Sequence, residues 1–225
     1  MPLEGKALLA LWNDRSPDRH DYDVWHTREH VPQRLTVPGI LRAVRYSEGD
    51  GPLPAYFTLY TLTDLGVFSD PDYIHLMKNP TPWSQSMRPD FARFFRVPCA
   101  VERSVGGGIG GWCVAALVSR TPTANDLDAL IQELADFAPV SAVHYGATEA
   151  DAAAVPFAIS QDETPMPAGV LIVEGYEGQA MAKGVREILS RFHEDVPTTA
   201  TSFYTLAFAL HERGVQSIRP YPRPA

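Results

Sequence analysis

Cysteine is scarce in this chain, and its two copies, Cys99 and Cys113, stand without metal-type spacing. That excludes a disulfide framework and fits a reducing compartment. Basic charge is short as well. Nineteen Lys and Arg face 27 Asp and Glu, for a net charge of −8. The basic stripe that nucleic acid or an anionic membrane needs is missing. No apolar run reaches bilayer-spanning length. The N-terminus enters a strand-like run directly, without the charged, apolar and small-residue order of a secretory leader. The expectation is a cytoplasmic protein with neither nucleic-acid nor membrane partners.

What is present is enough core for one large domain or two of about 100 residues: 225 residues, 45% hydrophobic and 20% charged. The order of elements reads β-α-β-β-α-β, twice. In the first copy, strands over 6–12, 39–47, 55–63 and 94–102 alternate with helix from Ser16 to about His30, and with helical pieces over 71–78 and after Pro82. Ser16-Pro17 reads as an N-cap followed by Pro at the first helical position. In the second copy, strands over 112–119, 139–146, 169–176 and 201–211 alternate with helices over 123–137 and 179–193. Val37-Pro38-Gly39-Ile40, running to Arg45-Tyr46, overlays Phe137-Ala138-Pro139-Val140, running to His144-Tyr145. A flexible glycine connector, Gly106 to Gly111, joins the copies.

Ala7-Leu8-Leu9-Ala10-Leu11 and Val170-Leu171-Ile172-Val173 are apolar on both faces, so each sheet needs a layer on each side. Helices can cover one face and the other copy's sheet the second. The expected fold class is therefore α+β: two ferredoxin-like β-α-β-β-α-β repeats packed sheet to sheet as an intrachain α+β barrel. The expected division is 1–105, a linker over 106–111, and a degenerate second repeat with a C-terminal tail over 112–225.

The most informative stretch is Trp25-His26-Thr27-Arg28-Glu29-His30-Val31-Pro32. At 3.6 residues per turn, Tyr22, Trp25, His26, Glu29, His30 and Gln33 share one wedge of a helix. A structural helix would fill that wedge with Leu, Ile and Val. Aromatic rings and titratable groups there mark the wall of a small polar pocket. Pro32 is expected to end the helix near His30 or Val31, leaving His30 in the last turn, where the helix dipole favours imidazolium.

Two other matches fail on context. His26-x-x-Glu29-His30 has the zinc spacing, but no further acidic ligand is evident and Pro32 follows at once. Gly106-x-Gly108-x-x-Gly111 has the dinucleotide spacing, but a strand follows it where that fingerprint needs a helix. No metal and no cofactor are expected. The segment from Ala147 to Ala168 is long for a connection and reads as a lid or interface arm.

Trp25-His-x-x-Glu-His-Val-Pro-x-Arg-Leu35, Val37-Pro-Gly-Ile-x-Arg-x-x-Arg-Tyr46, Tyr56-x-x-Leu-Tyr-x-Leu-x-Asp-Leu65 and Asn79-Pro-Thr-Pro-Trp-Ser84 together resemble the EthD-like branch of the dimeric α+β-barrel superfamily. The resemblance covers about residues 6–102; the second half matches in element order alone and lacks a His-x-x-Glu-His counterpart. It implies a cavity between helices and sheet, cofactor-free chemistry on small molecules, and a barrel built from two chains or, here, from a fused pair.

The leading expectation is a cofactor-independent isomerase, cyclase, dehydratase or oxygenase acting on a small cyclic or aromatic metabolite. His30 transfers a proton, assisted by His26 and Glu29. Trp12, Asn13, Trp25, Arg45, Tyr60 and Trp83 are the expected ligand-binding residues. The alternatives are a non-catalytic binding protein of the same fold, or a haem or metal site using His26 or His30. A homodimer is compatible with either.

Overall fold

Both faces of every central strand are covered, and this sets the architecture. In the first strand, β1 (Ala7–Asn13), Leu8, Ala10 and Trp12 join one apolar cluster, while Ala7 and Leu9 join another on the opposite face. The computed structural model describes residues 3–14, 19–153 and 166–218. The Ser16-Pro17 cap and most of the 147–168 connection lie outside these.

After β1 come α1 (Arg19–Trp25), a π-helical turn (His26–His30) and α2 (Val31–Arg34), forming one helical segment over 19–34. Then follow β2 (Ile40–Asp50), β3 (Tyr56–Leu62), α3 (Pro71–Lys78), α4 (Pro82–Met87) and β4 (Phe95–Gly106). The second half has β5 (Trp112–Val118), α5 (Ala124–Asp136), β6 (Val140–Thr148), β7 (Gly169–Gly175), α6 (Gly178–Arg191) and β8 (Thr198–His211).

All eight strands close into one antiparallel barrel in the order β1-β3-β2-β8-β5-β7-β6-β4. Within it, both halves run fourth-first-third-second: β4-β1-β3-β2 and β8-β5-β7-β6. The expected face-to-face packing of two sheets is replaced by edge pairing. β2 pairs with β8, Val44 opposite Ala209, and β4 with β6, Ala100 opposite Ala147. A four-stranded sheet leaves two rows of unsatisfied N–H and C=O groups, and pairing edge to edge satisfies both at once. The two inner faces still share one core, in which Trp12, Tyr46, Phe57, Cys99, Cys113, Ile172 and Tyr204 meet.

That inner core carries one polar chain. The Tyr46 hydroxyl donates to Glu174 Oε1, His144 Nε2 lies 3.6 Å from Glu174 Oε2, and His144 Nδ1 lies 2.9 Å from Ser104 Oγ. Burial pushes the Cys99 thiol up to about 12 and the Cys113 thiol well above its usual value, so neither is a nucleophile.

The glycine connector serves close approach. Gly106 has φ +79°, and a Cβ there would meet Ser141 O at 2.2 Å. Hydrogen bonds pin the segment: Gly107 N–H to Ser141 O, and Leu206 N–H to Gly111 O.

The helices take opposite characters. In α5, Thr123 caps the first turn by accepting from Asp126 N–H, and Leu127, Leu130, Ile131 and Leu134 recur at helical spacing on the buried face. They pack on Val114, Ala116, Val118, Val143 and Val173 together with Met181 and Val185 of α6. Each such burial stabilises by about 1.5–3 kcal/mol. This face of the second half is solid core. No helix among the described residues is long and apolar enough to cross a membrane.

Candidate functional site

The helix over 19–34 does not stop where Pro32 was expected to stop it. At His26–His30 the backbone widens to a π turn, in which Val31 N–H reaches His26 O. Pro32 then falls in the first turn of α2, where its missing N–H costs little, and the helix runs on to Arg34. The widened turn stacks Trp25 on His30, five residues on, which a regular helix would separate, and keeps His26 beside His30 at the four-residue spacing. Trp25 and His30 have centroids 4.5 Å apart, and His26 and His30 5.1 Å apart. π turns of this kind recur at functional sites.

Between this helix and the outer face of the first half-sheet lies a cleft. The helix contributes Tyr22, Trp25, His26, His30 and Arg34; the strands contribute Leu9, Leu11, Asn13, Ile40, Tyr60, Leu62 and Arg96; Phe68, Tyr73, Met77, Phe91 and Phe94 close the far side. The cleft is narrow. The space open to the centre of a water-sized sphere is about 40 Å³.

The electrostatics reverse one expectation. Burial drives the pKa of His26 well below the ordinary imidazole value, and Arg45, His30 and Arg34 push the same way. His30 is likewise driven well down, by burial and then by Arg34 and Arg88. Desolvation in an aromatic cleft and neighbouring guanidinium groups outweigh the helix dipole, so both rings are neutral at pH 7. Their Nδ1 atoms are buried without a hydrogen-bond partner among the described residues, and so is the Tyr60 hydroxyl. Burial, again the main cause, raises the Tyr60 and Tyr22 hydroxyls and keeps them protonated.

Of the expected site residues, the cleft brings together His26, His30, Trp25, Asn13 and Tyr60. Asn13 is fully buried, and both ends of its amide are occupied: Oδ1 accepts from the Tyr22 hydroxyl at 3.1 Å and Nδ2 donates to Asp14 O at 2.9 Å. It fixes Tyr22 and has little capacity left for a ligand.

Four expected residues lie elsewhere. Trp12 is an even-numbered residue of β1 and points into the barrel, stacked on Phe57 and Phe95 at 4.8 Å each. Arg45 is buried behind the helix, 3.3 Å from Asp23 and 3.4 Å from Thr27 Oγ1; it acts on the cleft through its charge on His26. Glu29 turns to the other side of the π turn, where Oε1 accepts from Thr81 Oγ1 at 2.5 Å and from Ser84 Oγ at 3.2 Å. Thr81 is the N-cap of α4, so Glu29 ties that helix start to the π turn. Trp83 packs with Tyr22, Trp25, Tyr56 and Met87 as the outer cover. Among these, Trp25 Nε1 donates to Ser84 Oγ at 3.2 Å.

The sequence reading missed Arg34, Tyr73 and Arg96. Arg34 sits four residues after His30, on the same helical stripe, and was hidden by treating Pro32 as the end. Arg96 alternates with Phe95 on β4 and donates to the Tyr73 hydroxyl at 3.1 Å. No group of three or more His, Cys, Asp or Glu that could hold a metal ion occurs among the described residues.

No family model and no curated protein matches the chain by sequence. Solved structures do match by shape. An anthrone oxidase-like protein superposes with TM-score 0.59 at 11% identity, over 94% of this chain and 96% of its own. A monooxygenase-like protein from Lactobacillus acidophilus gives 0.53 at 9% identity, over 92% and 97%. A chlorite dismutase-like protein gives 0.51 at 12% identity, over 94% and 98%. Likeness across nearly the whole of each chain at so low an identity shows a shared fold, which in this chain is a closed eight-stranded antiparallel barrel with helices on its outer face.

Proposed function

We propose that the cleft is the active site of a cofactor-independent enzyme that removes a proton from a small aromatic or cyclic substrate. The observation that carries this reading is the pair His26 and His30: two neutral imidazoles, 5.1 Å apart, lining an aromatic cleft with unpartnered buried nitrogens. A neutral imidazole is the form that accepts a proton. Tyr22, Trp25, Phe68, Phe91 and Phe94 offer flat apolar surface, and the Tyr60 hydroxyl is free to donate to a ligand oxygen. Loss of a proton from an acidic C–H or O–H begins isomerase, cyclase, dehydratase and oxygenase reactions on such rings alike.

The reading also takes the chain as two fused ferredoxin-like repeats, 1–105 and 112–225, with one working cleft in the first. The shared strand order of the two halves supports this. The EthD-like resemblance of the first half and the anthrone oxidase-like and monooxygenase-like shape neighbours favour ring-shaped substrates.

The test is hydrogen–deuterium exchange at an acidic ring carbon, followed by NMR, with anthrone and the smaller 2-tetralone as probes. Catalysed exchange is expected, falling by about 100- to 10,000-fold when His30 is replaced by Ala. Binding of the probes without exchange above buffer would make the protein a carrier instead of an enzyme.

A further inference from the structure

Arg34 stands out in the cleft wall. It is half-buried, its guanidinium faces Tyr60, Tyr73, Arg88 and Arg96 electrostatically, and burial and the two arginines lower its pKa. Its guanidinium has no hydrogen bond or ion pair among the described residues, and no Asp or Glu there lines the cleft. Other arginines nearby are engaged: Arg45 with Asp23, Arg93 with Asp14, Arg88 with Met77 O, Arg96 with the Tyr73 hydroxyl. A half-buried guanidinium that meets no carboxylate keeps its planar donors available to an anionic ligand. Beside it the Tyr60 hydroxyl is buried and unpartnered among the described residues. A guanidinium without a protein acceptor and a buried, unpartnered hydroxyl therefore line one cavity that has no Asp or Glu among its lining residues.

We propose that Arg34 and Tyr60 form an oxyanion subsite, and that the ligand of this cleft is an aromatic or cyclic molecule bearing a carboxylate, phenolate or enolate oxygen seated there. The inference rests on the proposed function for its location and sharpens it to a substrate class. The geometry divides the labour. His26 and His30 are neutral bases on one side of the helix stripe, and Arg34 lies one turn further along it. A carboxylate arrives already charged and is held as an ion pair. A phenol or enol arrives neutral; its proton moves to an imidazole nitrogen and the resulting O⁻ stays with Arg34 and Tyr60. Charge is conserved, since imidazolium and oxyanion form together. Guanidinium is suited to both, presenting planar donors to a planar oxygen group.

Three probes separate the sources: benzoate, 4-nitrophenol and uncharged benzamide, titrated by calorimetry into wild type and the Arg34→Met and Arg34→Lys variants. Benzoate is expected to bind more tightly than benzamide to wild type. Arg34→Met should weaken benzoate by about 10- to 100-fold and leave benzamide unchanged, and Arg34→Lys should restore part of the loss. Absorbance of bound 4-nitrophenol reports the second source. A fall in its apparent pKa on wild type, lost in Arg34→Met, identifies phenolate capture. Equal affinity for benzoate and benzamide, or unchanged benzoate binding in Arg34→Met with a wild-type melt, overturns the proposal. Arg34-independent exchange on neutral ketones would overturn this subsite while leaving the proton-abstraction reading in place. Arg34-dependent benzoate binding with no exchange on any ketone would do the reverse.

Discussion

The two halves of the barrel share one strand order and differ in what lies beneath their helices. Under α5 and α6, Leu127, Leu130, Ile131, Leu134, Met181 and Val185 fill the space against the sheet. Under the helix over 19–34, the equivalent face holds Tyr22, Trp25, His26, His30 and Arg34 around a cavity. Both halves close the barrel, but among the described residues only the first leaves buried histidine nitrogens without a hydrogen-bond partner. The comparison teaches that the scaffold does not need the cleft. The second half shows what the face becomes when helical apolar spacing is kept, and the first half departs from that spacing at a π turn.

The sharpest way to break the contrast is to disarm the first half. Replacing His26 and His30 together by Gln should reduce exchange on anthrone by about 100- to 10,000-fold, with the thermal melt near that of wild type. A large drop in melting temperature with normal exchange per folded molecule would show the two rings to be packing residues.

The complementary change removes core from the second half. Leu130→Ala should cost about 2–5 kcal/mol in urea unfolding, because Leu130 is fully buried among Val and Leu neighbours. Benzoate affinity should be unchanged in the folded fraction. Loss of affinity in parallel with stability would show the halves to be coupled rather than independent.

The pH dependence of stability should come from the first half. Both histidines have folded pKa values well below the ordinary 6.5. The unfolded chain therefore binds protons that the folded chain refuses once the pH falls below about 6.5. The sign is fixed: stability is complete above that value and is lost as pH falls toward the depressed folded pKa. The slope is at most about 1.4 kcal/mol per pH unit for each ring. Urea melts at several pH values should show this slope, and it should flatten in the His26→Gln, His30→Gln double variant. An unchanged slope in that variant would assign the effect to other groups.

The smallest effect belongs to Glu29. Glu29→Ala removes two hydrogen bonds to the start of α4 and should cost about 1–3 kcal/mol, with the exchange pH profile unmoved. Abolished exchange with an unchanged melt would return Glu29 to a catalytic role.

The fold was readable because it is written in burial. Doubly apolar strands such as 7–11 and 170–173 require two covering layers, and element order does the rest. Edge closure was not readable, since which strand edges meet depends on pairing over more than 150 residues, as between Val44 and Ala209. The cleft was legible through the His26–His30 wedge. Period alone, however, could not place Glu29 on the far side, because a π turn changes the angular step. Trp12 was misassigned for a simpler reason: in a closed barrel the aromatic residue at a strand end can point inward, and alternation does not say which parity is inside. Arg34 was within the quoted Val-Pro-x-Arg-Leu pattern, yet Pro32 was read as a stop instead of a first-turn residue.

A π turn acts as one surplus residue in the gearing of a helix. One residue corresponds to about 100° of rotation. Everything after His30 is therefore turned by that amount relative to what an uninterrupted α-helix would present. Excising a single residue between Thr27 and Glu29 would let the segment wind as a regular helix and swing Arg34 away from Tyr60, with no side chain of the cleft itself replaced. The same arithmetic makes the site fragile to length and more tolerant of identity: exposed position 28 can vary in chemistry, whereas the number of residues in the turn sets whether base and cation face the same ligand.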